Sequence, residues 1–133
     1  MDWITPQIAI ANHIDVQNHE LLRREKIKSI ISLDGKKRTF PSTIEDHEVF
    51  NFIDGSGNSM QLFTRVIDLL ADFVEDYSPV IVHCHAGRSR SASVVVGYYI
   101  KYHNMHVEEA LDFVGQKRQI NIADGLLRLL YSL

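Results

Sequence analysis

The chain is poor in cysteine, since Cys84 is the only one among its 133 residues. A disulfide framework within the chain is therefore excluded, and a lone thiol fits a reducing compartment. Long apolar runs are also missing, and the first residues show no basic start followed by an apolar core. We therefore predict neither a membrane span nor a secretory signal, and we expect a cytoplasmic protein.

A large excess of charge of either sign is missing as well. The formal net charge is −3, which argues against a general binder of nucleic acid or of membrane surfaces. The histidines show no ligand spacing with cysteine or with carboxylates, so we predict no metal and no cofactor. These features leave the oligomeric state open, and a monomer is the default expectation.

What the chain does contain is an alternation of strand-like and helix-like apolar patterns. Short apolar or alternating segments predict strands at 7–11, 27–33, 48–53 and 80–83. Helical spacing predicts helices at 15–26, with Asp15 as N-cap, and at 59–77, 91–103, 107–118 and 124–133. Hydrophobic residues make up 45%, enough for one core. We predict a single α/β domain over residues 1–133, with a central, mostly parallel sheet of four to five strands flanked by helices.

The most informative segment is VIVHCHAGRSRS, from Val80 to Ser91. It is typical of a buried strand, a short polar loop and a helix start. In such a loop the backbone N–H groups turn inward at the helix N-terminus and bind a tetrahedral anion. Arg90 can hold two phosphate oxygens at once, and the same groups would stabilise a nucleophilic Cys84 thiolate. A buried, inert cysteine would explain Cys84 alone, but not the glycine, serines and arginine that follow it.

The segment from His83 to Ala92, HCHAGRSRSA, resembles the signature of the cysteine-based protein tyrosine phosphatases. Its tail is most similar to the dual-specificity group, and residues 3–10 resemble that group's first strand. The resemblance implies a cysteine-dependent phosphomonoester phosphatase that acts on phosphotyrosine in a protein or peptide. A shallower pocket would also admit phosphoserine and phosphothreonine. The alternatives are a non-protein phosphate (phosphoinositide, glucan phosphate or RNA 5′ phosphate), a non-catalytic phosphate-binding module and a sulfur-transfer enzyme.

The resemblance also implies roles for the loop and its neighbours. Cys84 would be the nucleophile, and His83 would shape the loop. Ser91 would hydrogen-bond the sulfur as it leaves, although a serine there is equally a simple N-cap. The phosphate would be held by Arg90 and by the loop residues His85, Ala86, Gly87, Arg88 and Ser89, with His85 projecting to the rim.

Phosphoryl transfer also needs an acid that protonates the departing oxygen, and we choose Asp54. It follows a predicted strand, precedes Gly55-Ser56-Gly57 and lies 30 residues before Cys84, a separation that resembles the family's acid loop. Composition alone would make Asp54 a turn residue. Asp46 is the reserve candidate.

Two further features of the sequence stay open. Lys36, Lys37 and Arg38 either hold an anionic substrate or form a solvated charge run. The family's last helix often opens with Asn and carries Gln nearby, whereas this chain has Ala123 and Leu129. We therefore expect either a slow hydrolysis step or an Asp54 that serves both steps.

Overall fold

The computed structural model describes all residues from 1 to 133. Its strands are β1 (Asp2–Thr5), β2 (Ile8–Ala11), β3 (Ser29–Ser32), β4 (Asp46–Val49) and β5 (Val80–His83). Its α-helices are α1 (His19–Arg24), α2 (Met60–Asp76), α3 (Arg90–His103), α4 (Val107–Gly115) and α5 (Asp124–Tyr131), and a 3₁₀ turn spans Asp15–Gln17. None of the helices combines the length and the apolar composition that a membrane crossing requires.

The five strands form one sheet in the order β1-β2-β5-β3-β4. Only β1 is antiparallel to its neighbour, and all other pairs are parallel. The predicted α/β architecture with a mostly parallel sheet is therefore confirmed. β5 lies in the middle with all four residues buried, as its continuous apolar run predicts. The carboxyl ends of the four parallel strands meet at one edge, which is where ligands of such sheets bind.

The two faces of the sheet pack against separate cores because successive strand residues point to opposite sides. The larger core lies on the face covered by α2, α3, α4 and α5, and it holds 26 buried residues. The smaller core lies on the face covered by α1 and holds seven. Most of the apolar stripe predicted for α2 is buried, namely Phe63, Val66, Ile67, Leu70, Phe73 and Val74, whereas its other two members, Leu62 and Leu69, are only partly buried.

The first helix begins later than the sequence pattern predicts. Asn18 is the N-cap of α1, since its Oδ1 accepts the Leu21 N–H at 3.1 Å. Asp15 lies in the 3₁₀ turn, and its carboxylate binds the Met1 ammonium at 2.6 Å. The prediction of Asp15 as N-cap is wrong because this carboxylate has a partner 14 positions away, which no local pattern reveals.

The strand predictions also miss one strand and misplace another. β1 pairs with β2 across a turn at Pro6 and Gln7, whereas the sequence pattern predicts one strand over 7–11. β4 starts at Asp46 and ends at Val49, so the predicted strand 48–53 overlaps it by only two residues. The parallel ladder ends with Ser32 opposite Val49, and beyond it only an isolated antiparallel bridge joins Asp34 to Asn51.

Candidate active site

The loop after β5 begins with Cys84 at the carboxyl edge of the central strand and ends where α3 starts at Arg90. Gly87 adopts φ +72° inside this loop, a conformation that residues with a Cβ rarely adopt. A Cβ at Gly87 would also lie 2.5 Å from the Ala11 carbonyl oxygen. Glycine is therefore required here for the loop to turn tightly against β2.

Cys84 is buried, with 1% of its surface exposed, and its sulfur has two hydrogen-bond partners. The Gly87 N–H donates to Sγ at 3.3 Å, and the Ser91 hydroxyl lies 3.3 Å from it. Burial raises the pKa of the thiol, but the hydrogen bonds from Ser91 and Gly87 and the charge of Arg90 outweigh burial. The net pKa is below the usual thiol value, so the site favours a thiolate.

Arg90 carries the one buried side-chain polar atom that lacks a hydrogen-bond partner, its Nε. Its Nη1 donates to the Phe52 carbonyl at 3.4 Å, which holds the guanidinium beside the segment that leads to Asp54. A buried N–H without an acceptor is costly. A tetrahedral oxyanion above Cys84 would supply that acceptor, because the guanidinium edge matches two of its oxygens.

A cleft of about 360 Å³ opens beside the nucleophile loop. It is lined by Asp54, Cys84, His85, Ala86, Arg88, Ser89, Arg90 and Asn121. The cleft thus brings Asp54 together with Cys84 and Arg90, and it leaves out the reserve candidate Asp46. Asp46 starts β4 and therefore lies at the amino edge of the parallel sheet, away from the carboxyl edge that carries Cys84.

The basic run after β3 does not line this cleft either. Arg38 forms an ion pair with Asp34 at 2.6 Å, so the Asp34 carboxylate neutralises the charge of its guanidinium. Lys36 and Lys37 are exposed. The geometry therefore favours solvated lysines and an ion-paired Arg38 over a contact of these residues with substrate at the nucleophile.

The segment that carries Asp54 is held at both ends. Asn58 bridges it, since its Oδ1 accepts the Ile53 N–H at 2.9 Å and its Nδ2 donates to the Ile53 carbonyl at 2.7 Å. On the other side the loop packs on Gly125 of α5, where a Cβ would lie 2.5 Å from Gly55 C and from Ser56 Cα. The exposed Asp54 therefore sits in a loop whose position two other residues set.

The side chains of His83 and Ser91 both contact Cys84. The His83 Nδ1 lies 3.2 Å from the Cys84 carbonyl oxygen, so the ring supports the loop from inside the sheet. Burial lowers the pKa of His83 to about 4, and the ring is neutral at physiological pH. Ser91 is buried within α3 and contacts the sulfur, whereas Ser89 is the helix N-cap residue.

The rim of the cleft is formed by exposed His85, whose ring stacks on His13 with centroids 4.1 Å apart. The His13 N–H also donates to the His85 carbonyl at 2.9 Å. Below the rim, the Ser89 hydroxyl accepts the Ala123 N–H at 2.9 Å. Ala123 therefore contacts the loop through its backbone, although it lacks the amide side chain that the family often has there.

Arg118 is a residue of this site that the sequence interpretation missed. Its Nε donates to the Gly87 carbonyl at 2.6 Å and its Nη2 to the Ala86 carbonyl at 3.2 Å, while Nη1 pairs with Asp2 at 2.9 Å. In a peptide unit the C=O and N–H groups point in opposite directions, so holding these carbonyls outward directs the N–H groups toward the cleft.

Asn121 was missed as well. It lines the cleft, and its N–H donates to the Arg88 carbonyl at 2.8 Å.

The family model described as the dual specificity phosphatase catalytic domain matches residues 8–133 of the chain. The chain belongs to this family. The resemblance inferred from the nucleophile loop is thereby confirmed, and the expected relation to the wider cysteine-based phosphatases follows from it.

Two curated relatives illustrate the family, and one solved structure illustrates the fold. The chain is 28% identical to dual specificity protein phosphatase 1 of Arabidopsis thaliana over 120 residues, covering 87% of this chain and 60% of that protein. It is 29% identical to dual specificity protein phosphatase 16 of Homo sapiens over 119 residues, covering 86% and 18%. The chain thus spans less than two thirds of the length of these relatives.

The solved structure is that of the human tyrosine phosphatase-like serine/threonine/tyrosine-interacting protein. It superposes with a TM-score of 0.87 at 22% identity, covering 99% of this chain and 93% of that one. At this level of identity the similarity shows a shared fold. The roles of individual residues in the cleft stay predictions.

Proposed function

We propose that residues 1–133 form a single catalytic domain that hydrolyses phosphomonoesters through a cysteinyl-phosphate intermediate. The observation that supports this most directly is the pairing of an activated Cys84 sulfur with the unpartnered Nε of Arg90 in one cleft. A nucleophile and an anion-binding group meet there, and Asp54 supplies a carboxyl group. This is the set of groups that phosphoryl transfer to a thiolate needs.

In the first step the Cys84 thiolate attacks phosphorus in line with the departing oxygen. The S–P bond forms while the P–O bond breaks, and the electron pair of that bond goes to the leaving oxygen. Arg90 and the backbone N–H groups of residues 85–90 hold the three equatorial oxygens, where charge accumulates. Asp54, in its protonated form, gives its proton to the leaving oxygen, and the alcohol or phenol departs.

In the second step water attacks the cysteinyl phosphate. Asp54, now a carboxylate, takes the proton of the attacking water, and the S–P bond breaks to release inorganic phosphate. The Ser91 hydroxyl, 3.3 Å from Sγ, donates a hydrogen bond to the sulfur as it regains its negative charge. Because Ala123 and Leu129 offer no amide to orient the water, Asn121 in the cleft wall is the side chain that this chain has available for that purpose.

The substrate that we propose is phosphotyrosine in a protein or peptide, with phosphoserine and phosphothreonine also accepted. Membership of the dual specificity phosphatase family supports this substrate class. The stacked rings of His85 and His13 at the rim offer an aromatic wall for a phenyl ring. The exposed Arg88 in the same cleft favours a second candidate, a phosphate on a lipid, a glucan or an RNA 5′ end.

The decisive test of the function compares the wild type with Cys84→Ser on phosphotyrosyl, phosphoseryl and phosphoinositide substrates. We expect the wild type to release phosphate fastest from the phosphotyrosyl peptide. We expect the serine variant to lose turnover and still bind inorganic phosphate, because the hydroxyl stays protonated while Arg90 and the N–H groups are unchanged. Substantial turnover by Cys84→Ser would contradict the covalent mechanism, and a preference for phosphoinositide would favour the second candidate.

The acid is tested by its dependence on the leaving group. Asp54→Asn should slow the hydrolysis of an alkyl phosphate by about 100-fold or more, which is the usual contribution of a positioned acid. It should slow an aryl phosphate with an acidic phenol much less, because that phenol departs without a proton. Asp46→Asn is the matched control and should change neither rate. Equal losses on both substrates would remove Asp54 from the role of acid.

A further inference from the structure

The His83 ring is held between two neighbours that determine where its proton lies. A carbonyl oxygen only accepts hydrogen bonds, so Nδ1, 3.2 Å from the Cys84 carbonyl, carries the hydrogen. The ring is neutral because burial lowers the pKa of His83 to about 4. Nε2 is therefore an acceptor, and the Ser32 hydroxyl at 2.6 Å must donate to it. Both Ser32 and His83 are fully buried.

The direction of this hydrogen bond fixes the next one. A serine hydroxyl has one hydrogen, and in Ser32 it is used by His83. The Nε2 of His47 lies 2.9 Å from the same oxygen, so His47 must be the donor. One directed chain of hydrogen bonds thus runs from His47 on β4 through Ser32 on β3 and His83 on β5 to the carbonyl of Cys84. Its members span three adjacent strands of the sheet.

We propose that His47 is a positioning residue for the nucleophile, which acts through Ser32 and His83 on the peptide unit of Cys84. With the His47 donor present, the Ser32 hydrogen points at His83, and the Nδ1–H form of that ring is the one that fits. The His47 N–H points at the Ser32 oxygen, so the hydroxyl hydrogen cannot turn toward β4. Without His47 the hydroxyl can rotate its hydrogen away from His83 and accept from Nε2 of that ring instead. The ring could then carry its hydrogen on Nε2, and the lone pair of Nδ1 would face the carbonyl oxygen of Cys84.

The surroundings of His47 keep this donor in place. The Phe40 ring packs edge-on against the imidazole with centroids 4.5 Å apart. Burial lowers the pKa of His47, as does Arg38, while Asp46 and Asp34 raise it. The Nε2–H group donates in the neutral Nε2–H form and in the protonated form alike, so the contact with Ser32 does not require a charged ring.

The proposal rests on Cys84 being the reactive thiol of the proposed function, and its test measures that thiol directly. The rate at which iodoacetamide alkylates Cys84 is followed against pH, and kcat and KM are measured in parallel. We expect His47→Leu to raise the pKa of the thiol and to slow alkylation below that pKa about fivefold, the scale of one hydrogen bond. His47→Gln retains an N–H donor for Ser32 and should titrate close to the wild type.

The control is His19→Leu, a partly exposed histidine whose ring contacts only the Thr39 carbonyl among polar groups, and it should not change the titration. If His47→Leu titrates as the wild type does, or if the leucine and glutamine variants shift equally, the proposal is wrong. If His47→Leu does not fold, Ser32→Ala decides by the same titration, with the same expected shift. Alkylation of Cys84 needs no turnover, so the two proposals can fail separately. If the variants shift the titration as expected but the wild-type protein hydrolyses no phosphomonoester, the proposed function is refuted and this chain of hydrogen bonds stands.

Discussion

Gly125 offers the sharpest test of how the fold positions the acid. It is the second residue of α5, a position where alanine is favoured by helix propensity. A Cβ there would lie 2.5 Å from Gly55 C and from Ser56 Cα, both backbone atoms of the loop that follows Asp54. Gly125→Ala therefore keeps the helix and pushes the acid loop away from it.

The size of the effect follows from the distance that the loop must move. Ordinary carbon contacts begin near 3.4 Å, so the loop has to withdraw by about 1 Å. A misplacement of about 1 Å costs on the order of 100-fold when geometry is critical, and this lies within the contribution of a general acid. We expect a loss of about 10- to 100-fold on an alkyl phosphate and little loss on an aryl phosphate with an acidic phenol.

The assay is kcat/KM on the two substrates for Gly125→Ala and for a matched Gly115→Ala. Gly115 ends α4, and its Cβ would meet only Ile120 at an ordinary 3.9 Å, so this variant should behave as the wild type. Thermal unfolding of both variants checks that the fold is retained. An unchanged rate on the alkyl phosphate, or equal losses on both substrates in a folded protein, would refute the idea that Gly125 positions the acid loop.

Two further predictions concern the loop and its support. Arg118→Met keeps an unbranched side chain but removes the donors to the Ala86 and Gly87 carbonyls. The affinity for inorganic phosphate, measured by calorimetry, should therefore fall about tenfold. The control is Arg128→Met on the exposed side of α5, which should leave this affinity unchanged. The pKa of His83 is about 4 in the fold, below its usual 6.5, so the unfolded chain takes up a proton first as the pH falls. The free energy of unfolding should therefore decrease by about 3 kcal/mol between pH 6.5 and 4. Urea titrations should show this decrease clearly reduced in His83→Gln, and an identical decrease in that variant would contradict the assignment.

The parts of the fold that the sequence predicts well are those encoded by contiguous residues. β5 follows from the apolar run Val80–Val82, and α2 follows from an apolar stripe at helical spacing, because burial within a sheet or on one helix face requires such patterns. β1 and β4 follow less well, since both lie at edges of the sheet and are only half-buried. The alternation of apolar residues is weak there, and the partner strand decides where pairing starts and stops.

In the candidate site, too, the sequence predicts residues that lie close together in one segment better than residues that lie far apart. Cys84, Gly87 and Arg90 belong to one loop, so their spacing in the sequence is enough to predict an anion cradle. Asp54 lies 30 positions earlier, and only the family resemblance favours it as the acid, while composition favours a turn.

The remaining groups have no local signal, because their partners are distant in the sequence. The contact of Arg118 with Gly87 spans 31 positions, and the contact of Ser32 with His83 spans 51. An arginine near a helix end and a serine in a strand are ordinary residues in a sequence. Ser32 contacts His83 only because the sheet order puts β3 beside β5, and Arg118 contacts Gly87 only because α4 ends near the nucleophile loop. The supports of the site therefore depend on the topology of the fold, whereas the nucleophile and the anion-binding groups lie in one segment of the sequence, with Asp54 as the one reacting group outside it. For this reason, substitutions at His47, Arg118 and Gly125 test the geometry, and substitutions at Cys84 and Asp54 test the chemistry.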